Sequence, residues 1–340
     1  MSFKPYPFLD DAWGYSTGTG RLSAVQRAAP RLRDAIMDSG LVQRVKTFDI
    51  ALFPYPTRFA FQGACSLPLP YAYLTNRAVY VEYLDHEQEM RRIIINPSHP
   101  AGARKAQYFQ ELTAKIPSWA ERFMAREYAP LETQLLDAKI EPQSIDYITF
   151  DHLHVQEVGP LMGPDGTFPK AKLLITNVER RAVRELHPLQ NYWYVPSVLK
   201  GVPEELIIGF DQDLSLGQGL ALVRTPGHTE GNHSICIHTA FALHTISENG
   251  VCVDAYRPEL SLIPGLSNYA QERGLPVILN ANTLERSLDQ YTSMRLEALL
   301  SRSADPDGFP NHFSSSELTP FFLAPLLEPT QAVQAIEYKA

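Results

Sequence analysis

Cysteine is scarce in this 340-residue sequence: Cys65, Cys236 and Cys252 are the whole set, and no two share a Cys-x-x-Cys spacing. All three stand among apolar neighbours, so no disulfide framework is expected and the thiols read as structural. Long apolar runs are missing too, and none approaches the roughly 18 residues that span a bilayer. Residues Met1 to Phe8 are broken by Lys4, Pro5 and Pro7, which leaves no apolar core for a secretory signal. The expectation is a cytoplasmic protein with no membrane partner. Clustered positive charge is the third absence. The formal net charge is −8, and basic residues gather no more densely than in short pairs such as Arg180-Arg181. No nucleic-acid partner is expected.

What is present is enough apolar material for one large core or two modest ones, with 44% hydrophobic residues and no repeat or low-complexity stretch. Residues 1–44 mix an aromatic, Pro-rich start with a helix-like stretch from Ser23 to Asp38. They read as an N-terminal extension that caps the domain or mediates a homodimer contact, and residues 45–340 read as the main domain. From Val45 to Pro97, β-rich runs such as Ala78 to Tyr83 are broken by Pro54, Pro56, Pro68 and Pro70, the pattern of hairpins with irregular connections. Ala101 to Lys139 predicts one or two helices interrupted by Pro117 and Pro130. Lys172 to Thr176 predicts a strand and Val178 to Leu186 a helix. Apolar residues at 284, 288, 291, 294, 298 and 299 predict a helix lying on a sheet from Leu284 to Leu300.

Histidine placement carries the chemistry. Extended backbone sends residues i and i+2 to the same side. His152 and His154, in Asp151-His152-Leu153-His154-Val155-Gln156-Glu157 after the apolar run Ile145 to Phe150, can therefore face one metal ion. A second strand-like run, Leu220 to Val223, leads into Thr225-Pro226-Gly227-His228-Thr229-Glu230-Gly231, which supplies a third imidazole on a turn. Three histidines at strand ends make a candidate metal site. His233, His238 and His244 follow inside strand-like segments and read as structural. His312, in a polar loop, is left open as a ligand.

These two motifs, in this order, resemble those of the metallo-β-lactamase superfamily, which carries His-x-His-x-Asp-His after one strand and Thr-Pro-Gly-His-Thr-x-Gly later. The resemblance spans roughly Phe48 to Asn282. It implies an α/β, four-layer αββα sandwich, here with an elaborated N-terminus, and a divalent metal cofactor. It also exposes departures. The family's motif aspartate and last histidine are replaced by Gln156 and Glu157, and Glu248 stands near the family's bridging aspartate. The late histidine is missing, where Val277 to Asn282 ends in amides. The resemblance thus implies one intact set, His152, His154 and His228, beside a rewritten second position. Glu157 and Glu248 are the expected carboxylate ligands there, with Gln156 or Asn282 as further oxygen donors. One or two ions, Zn, Fe or Mn, fit such a set, and oxygen-rich ligation favours Mn or Fe at the second position.

The reading that follows is a metal-dependent hydrolase of a small organic substrate, using a metal-activated water, with Glu157 or Asp151 serving as base or orienting a ligand. Two alternatives stay open. One is a non-haem iron oxidoreductase using His152, His228 and Glu248. The other is a non-catalytic member that keeps the pocket for a ligand.

Overall fold

Two sheets stack face to face, and the alternation of apolar residues along their strands shows which side each one buries. The structure is a computed structural model and describes residues 3–283, 286–332 and 335–340, Ser118 without its side chain. The larger sheet has nine strands. Along its main path Glu337–Lys339 is followed by Arg44–Pro56, Tyr71–Leu84, Met90–Ile95, Tyr147–Thr149, Lys172–Thr176 and Ile207–Phe210, with Ser316–Leu318 and Arg126–Glu127 pairing off it. The smaller sheet has six strands in the order Lys4–Tyr6, Asp213–Gly217, Leu220–Arg224, His233–His238, Leu243–Ser247 and His312–Ser314.

Between the sheets Val79, Val81, Ile93, Ile95 and Leu174 of the larger meet Leu220, Leu222, Ile235, Ile237 and Ile246 of the smaller. The intervening residues face outward. Ile94, Ile148 and Leu173 pack with Leu135 of the helix Leu131–Asp137, and Ala221, Val223 and Cys236 pack under the helices Gly18–Asp38 and Ser287–Leu300. Period-two burial on both faces of both sheets gives the four-layer αββα arrangement. The N-terminal residues take part in it. Lys4–Tyr6 pairs antiparallel with Asp213–Gly217, and the helix Gly18–Asp38 covers the smaller sheet.

Three local expectations are corrected. Arg44–Pro56 runs as one strand through Pro54, which pairs with Tyr73. Residues 101–139 contain four short helices, Pro100–Ala103 to Leu131–Asp137, and Pro117 and Pro130 stand at the N-caps of the last two. Proline there starts helices, because its own missing N–H costs nothing at a helix entrance. The last long helix, Ser287–Leu300, buries Gln290, Ser293 and Glu297 along with Met294, Leu296 and Leu300, while Leu288 is 70% exposed. Leu284 of the expected stripe lies outside the described residues. The buried face is partly polar because it holds up loops: Gln290 Nε2 donates to the carbonyls of Asn249 and Asn280, Ser293 Oγ to that of Pro226, and Glu297 accepts from Ser234, Asn249 and Tyr256. No helix among the described residues is long and apolar enough to cross a membrane.

Candidate metal centre

The strand Tyr147–Thr149 lies inside the larger sheet, parallel to both neighbours, and the chain leaving its C-terminal end carries His152 and His154. His228 comes from the other sheet, on the turn between Leu220–Arg224 and His233–His238. The loops are stitched together by bonds from main-chain N–H groups: Asp151 N donates to the side-chain oxygen Asn96 Oδ1, His233 N to the Asp151 carbonyl, and Val155 N to the Trp193 carbonyl. Two glycines permit the close approach of the His228 turn. A Cβ on Gly227, whose φ is +154°, would stand 2.2 Å from Gln290 Cα, and one on Gly231 would stand 2.2 Å from Glu179 N.

The three imidazoles are buried and offer one nitrogen each within 4.8 Å of one another. His154 Nδ1 lies 3.1 Å from His228 Nε2, and His154 Nε2 is buried without a partner. Two nitrogens bound to one ion at about 2.1 Å with near-tetrahedral angles stand about 3.4 Å apart. The observed approach is close to that. Burial first, then the neighbouring imidazoles His228 and His152, holds His154 well below the usual histidine range; burial first, then His152, does the same for His228. A metal ion requires deprotonated ring nitrogens close together, and each of the three rings offers one within that small region. The residues present therefore fit a divalent ion held by His152, His154 and His228.

The acidic candidates separate. Asp151 lies beside the triad, with Oδ2 3.1 Å from His152 Nδ1 and accepting from Ser315 Oγ at 2.8 Å. Burial opposes its charge, but His152, the Ser315 hydroxyl and His233 outweigh it and hold the carboxyl below its usual value. Glu248 lines the same cavity as the histidines. Its Oε2 accepts from Ser316 N at 2.6 Å, and burial foremost, with Asp151 next, pushes its pKa well up. Glu157, expected as ligand or base, is elsewhere: Lys105 Nζ bonds both its oxygens at 2.7 and 2.8 Å, and Ser197 Oγ donates at 3.2 Å. Val155 explains the divergence. Its φ of +53°, costly for a β-branched residue, turns the chain after His154, and Glu157 leaves the cavity. Gln156 still lines the cavity, with Nε2 donating to Ser98 Oγ.

Asn280 and Asn282 also line the cavity; Tyr55 Oη donates to Asn280 Oδ1 at 2.7 Å. His312 does not join the cluster. It is buried in a strand of the smaller sheet, 2.9 Å from Thr245 Oγ1, with its ring 4.0 Å from that of Tyr256. His233 is likewise engaged, 3.1 Å from Thr149 Oγ1.

Sequence reasoning missed Glu179. This buried carboxylate accepts from Leu153 N at 3.0 Å and Tyr194 Oη at 2.8 Å on one oxygen, and from Thr229 Oγ1 at 2.8 Å and Gly231 N at 3.2 Å on the other. It ties the His152/His154 loop to the His228 turn. Its sequence signal, Thr176-Asn177-Val178-Glu179, is that of a helix-capping box. Thr176 does cap the helix Asn177–Ala182, accepting from Glu179 N, but the glutamate side chain turns to the histidine loops.

No protein-family model matches the sequence, and no curated protein does. Solved structures do match. A quorum-quenching N-acyl homoserine lactone hydrolase superposes with a TM-score of 0.52 at 15% identity, over 82% of this chain and 93% of that one. AidC, a dizinc quorum-quenching lactonase in complex with a product, superposes with a TM-score of 0.51 at 14% identity, over 87% of this chain and 99% of that one. Two facing sheets, helices on both outer faces, and agreement with these structures over most of the chain establish that this protein has the metallo-β-lactamase-like fold.

Proposed function

We propose that the protein is a metal-dependent hydrolase of a small organic substrate, with one divalent ion held by His152, His154 and His228. The observation that carries this reading is the convergence of three buried imidazoles, two of them held neutral, in the wall of a cavity. A divalent ion in such a site lowers the pKa of a bound water and polarises a carbonyl or phosphoryl oxygen.

The chain's own residues supply the rest. Asp151 Oδ2 stands 3.1 Å from His152 Nδ1, the place from which a carboxylate commonly orients a ligating imidazole, and Ser315 steadies Asp151 in turn. Glu179 fixes the spacing of the two histidine-bearing loops. No cation pairs with Glu248 among the described residues, so its carboxyl is the group placed to complete the ligand set or to carry a proton. Glu248→Gln separates these roles: loss of metal identifies a ligand, and loss of turnover with metal retained identifies a proton carrier. The two lactonases that share the fold make a lactone the first substrate to try. The test is to load metal-free protein with zinc, iron or manganese and assay lactone, ester, amide and phosphoester cleavage. Metal-dependent hydrolysis abolished by His228→Ala is expected; a loaded protein that cleaves none of them contradicts the reading.

A further inference from the structure

The cavity that holds the histidines continues well beyond them. It runs along the strand Arg44–Pro56 past Ile50 and Leu52, and its opposite wall is Phe109 and Leu112 of the helix Gln107–Ala114, followed by Ile116 and Met124. Polar side chains along this stretch are already engaged. Tyr108 Oη donates to the Pro54 carbonyl at 2.8 Å, Tyr55 Oη to Asn280, and Thr113 Oγ1 to the Phe109 carbonyl of its own helix. Arg104 in the lining pairs with Glu121 and Glu127, and the Arg126 guanidinium stacks over Tyr128. By contrast, Asn76 Oδ1, Asn96 Nδ2, Gln156 Oε1 and Asn282 Oδ1 are buried without partners; their residues line the cavity with the histidines, and Asn76 Nδ2 donates to the carbonyl of Ser315, whose hydroxyl bonds Asp151.

Polar atoms in want of partners near the histidines and a wall with none to spare beyond them describe an amphiphilic ligand. We propose that the channel between Arg44–Pro56 and Gln107–Ala114 binds the unbranched aliphatic tail of the substrate, whose polar, hydrolysable head lies at the histidines. The assignment of the head rests on the hydrolase reading; the tail site does not. Its recognition is hydrophobic, and each methylene carried out of water strengthens binding roughly fourfold.

The test uses 1-hexanol and 1-decanol as probes of the full-length, metal-free protein by titration calorimetry. Wild type should bind 1-decanol at least about tenfold more tightly than 1-hexanol. Leu112→Trp, which fills the channel, should abolish that preference. Met124→Trp narrows the same channel from a half-buried position, and a folded variant is confirmed by an unchanged circular dichroism spectrum. A wild type that does not discriminate between the alcohols, or folded variants that both retain the preference, overturns the proposal. If the preference stands and no ester of any length is cleaved by metal-loaded protein, the tail site is supported and the hydrolase reading alone fails.

Discussion

Replacing Glu179 with glutamine removes one negative charge and nothing of the side chain's size, and the geometry fixes what is lost. Each carboxylate oxygen accepts one main-chain N–H and one hydroxyl: Leu153 N with Tyr194 Oη, and Gly231 N with Thr229 Oγ1. Glutamine has one acceptor oxygen and one NH2 group. The hydroxyl facing the NH2 can turn and accept, but the main-chain N–H there cannot. In either amide orientation one buried N–H, on a loop that carries one of the three histidines, is left without an acceptor. Hydrogen bonds to a charged group contribute about 1.5 to 3 kcal/mol each, so Glu179→Gln should destabilise the metal-free fold by about 3 kcal/mol. The loosened loop also holds its imidazoles less firmly, and supporting groups of this kind commonly change metal affinity by about 10- to 100-fold. Denaturant titration of metal-free protein gives the first quantity, and competition with a chromophoric zinc chelator gives the second. If stability falls and zinc affinity does not, Glu179 is only a packing residue; if neither moves, the reasoning about its four hydrogen bonds is refuted.

Three further outcomes are expected. Gly227→Ala places a methyl group against Gln290 Cα, backbone that cannot swing aside, and should cost about 3 kcal/mol or more; thermal denaturation checks it, and a neutral result would show that the turn is free to shift. Glu157→Gln should leave the metal content of purified protein unchanged, because that carboxylate is bound to Lys105 and Ser197, whereas loss of the ion would return it to the ligand set. Burial pushes the Glu317 carboxyl up to about 8, against the opposing pull of the Ser314 N–H and Arg77. The folded state therefore keeps a proton that the unfolded chain releases, and the associated stability is complete below about pH 4 and lost as pH rises through about 8, a change on the order of a few kcal/mol. Denaturant titrations of metal-free protein at pH 5 and 8.5 should show a smaller decline for Glu317→Gln than for wild type, and equal declines would refute the assignment.

The sandwich was legible through a family resemblance carried by two motifs in order, and the grouping of the three histidines through a short-range rule. The apolar runs Leu220 to Val223 and Ile145 to Phe150 mark strands, and His-x-His at a strand end needs only extended backbone to aim two rings together. What was hidden depends on tertiary context. Glu157 follows His154 by three residues, an odd offset that an extended run would point away from the histidines, and the positive φ of Val155 turns the chain there, so only the folded structure shows it held by Lys105 and Ser197. Glu179 resembles a capping glutamate, and only the folded chain brings Leu153, Tyr194, Thr229 and Gly231 around it. The helix Ser287–Leu300 defeats an apolar-stripe reading for a related reason. Its buried Gln290, Ser293 and Glu297 support the loops around His228 and Asn249, so hydrogen bonding as well as hydrophobicity decides which side faces inward.

The central claim is that His152, His154 and His228 hold one ion. Titrating metal-free wild type and His154→Ala with cobalt(II), followed by its visible absorption, tests it directly. Wild type should saturate near one ion per chain in a low-symmetry, nitrogen-rich environment, and His154→Ala should show no saturation over the same range. A wild type that binds no cobalt, or a His154→Ala variant with the same titration and spectrum, would contradict the account.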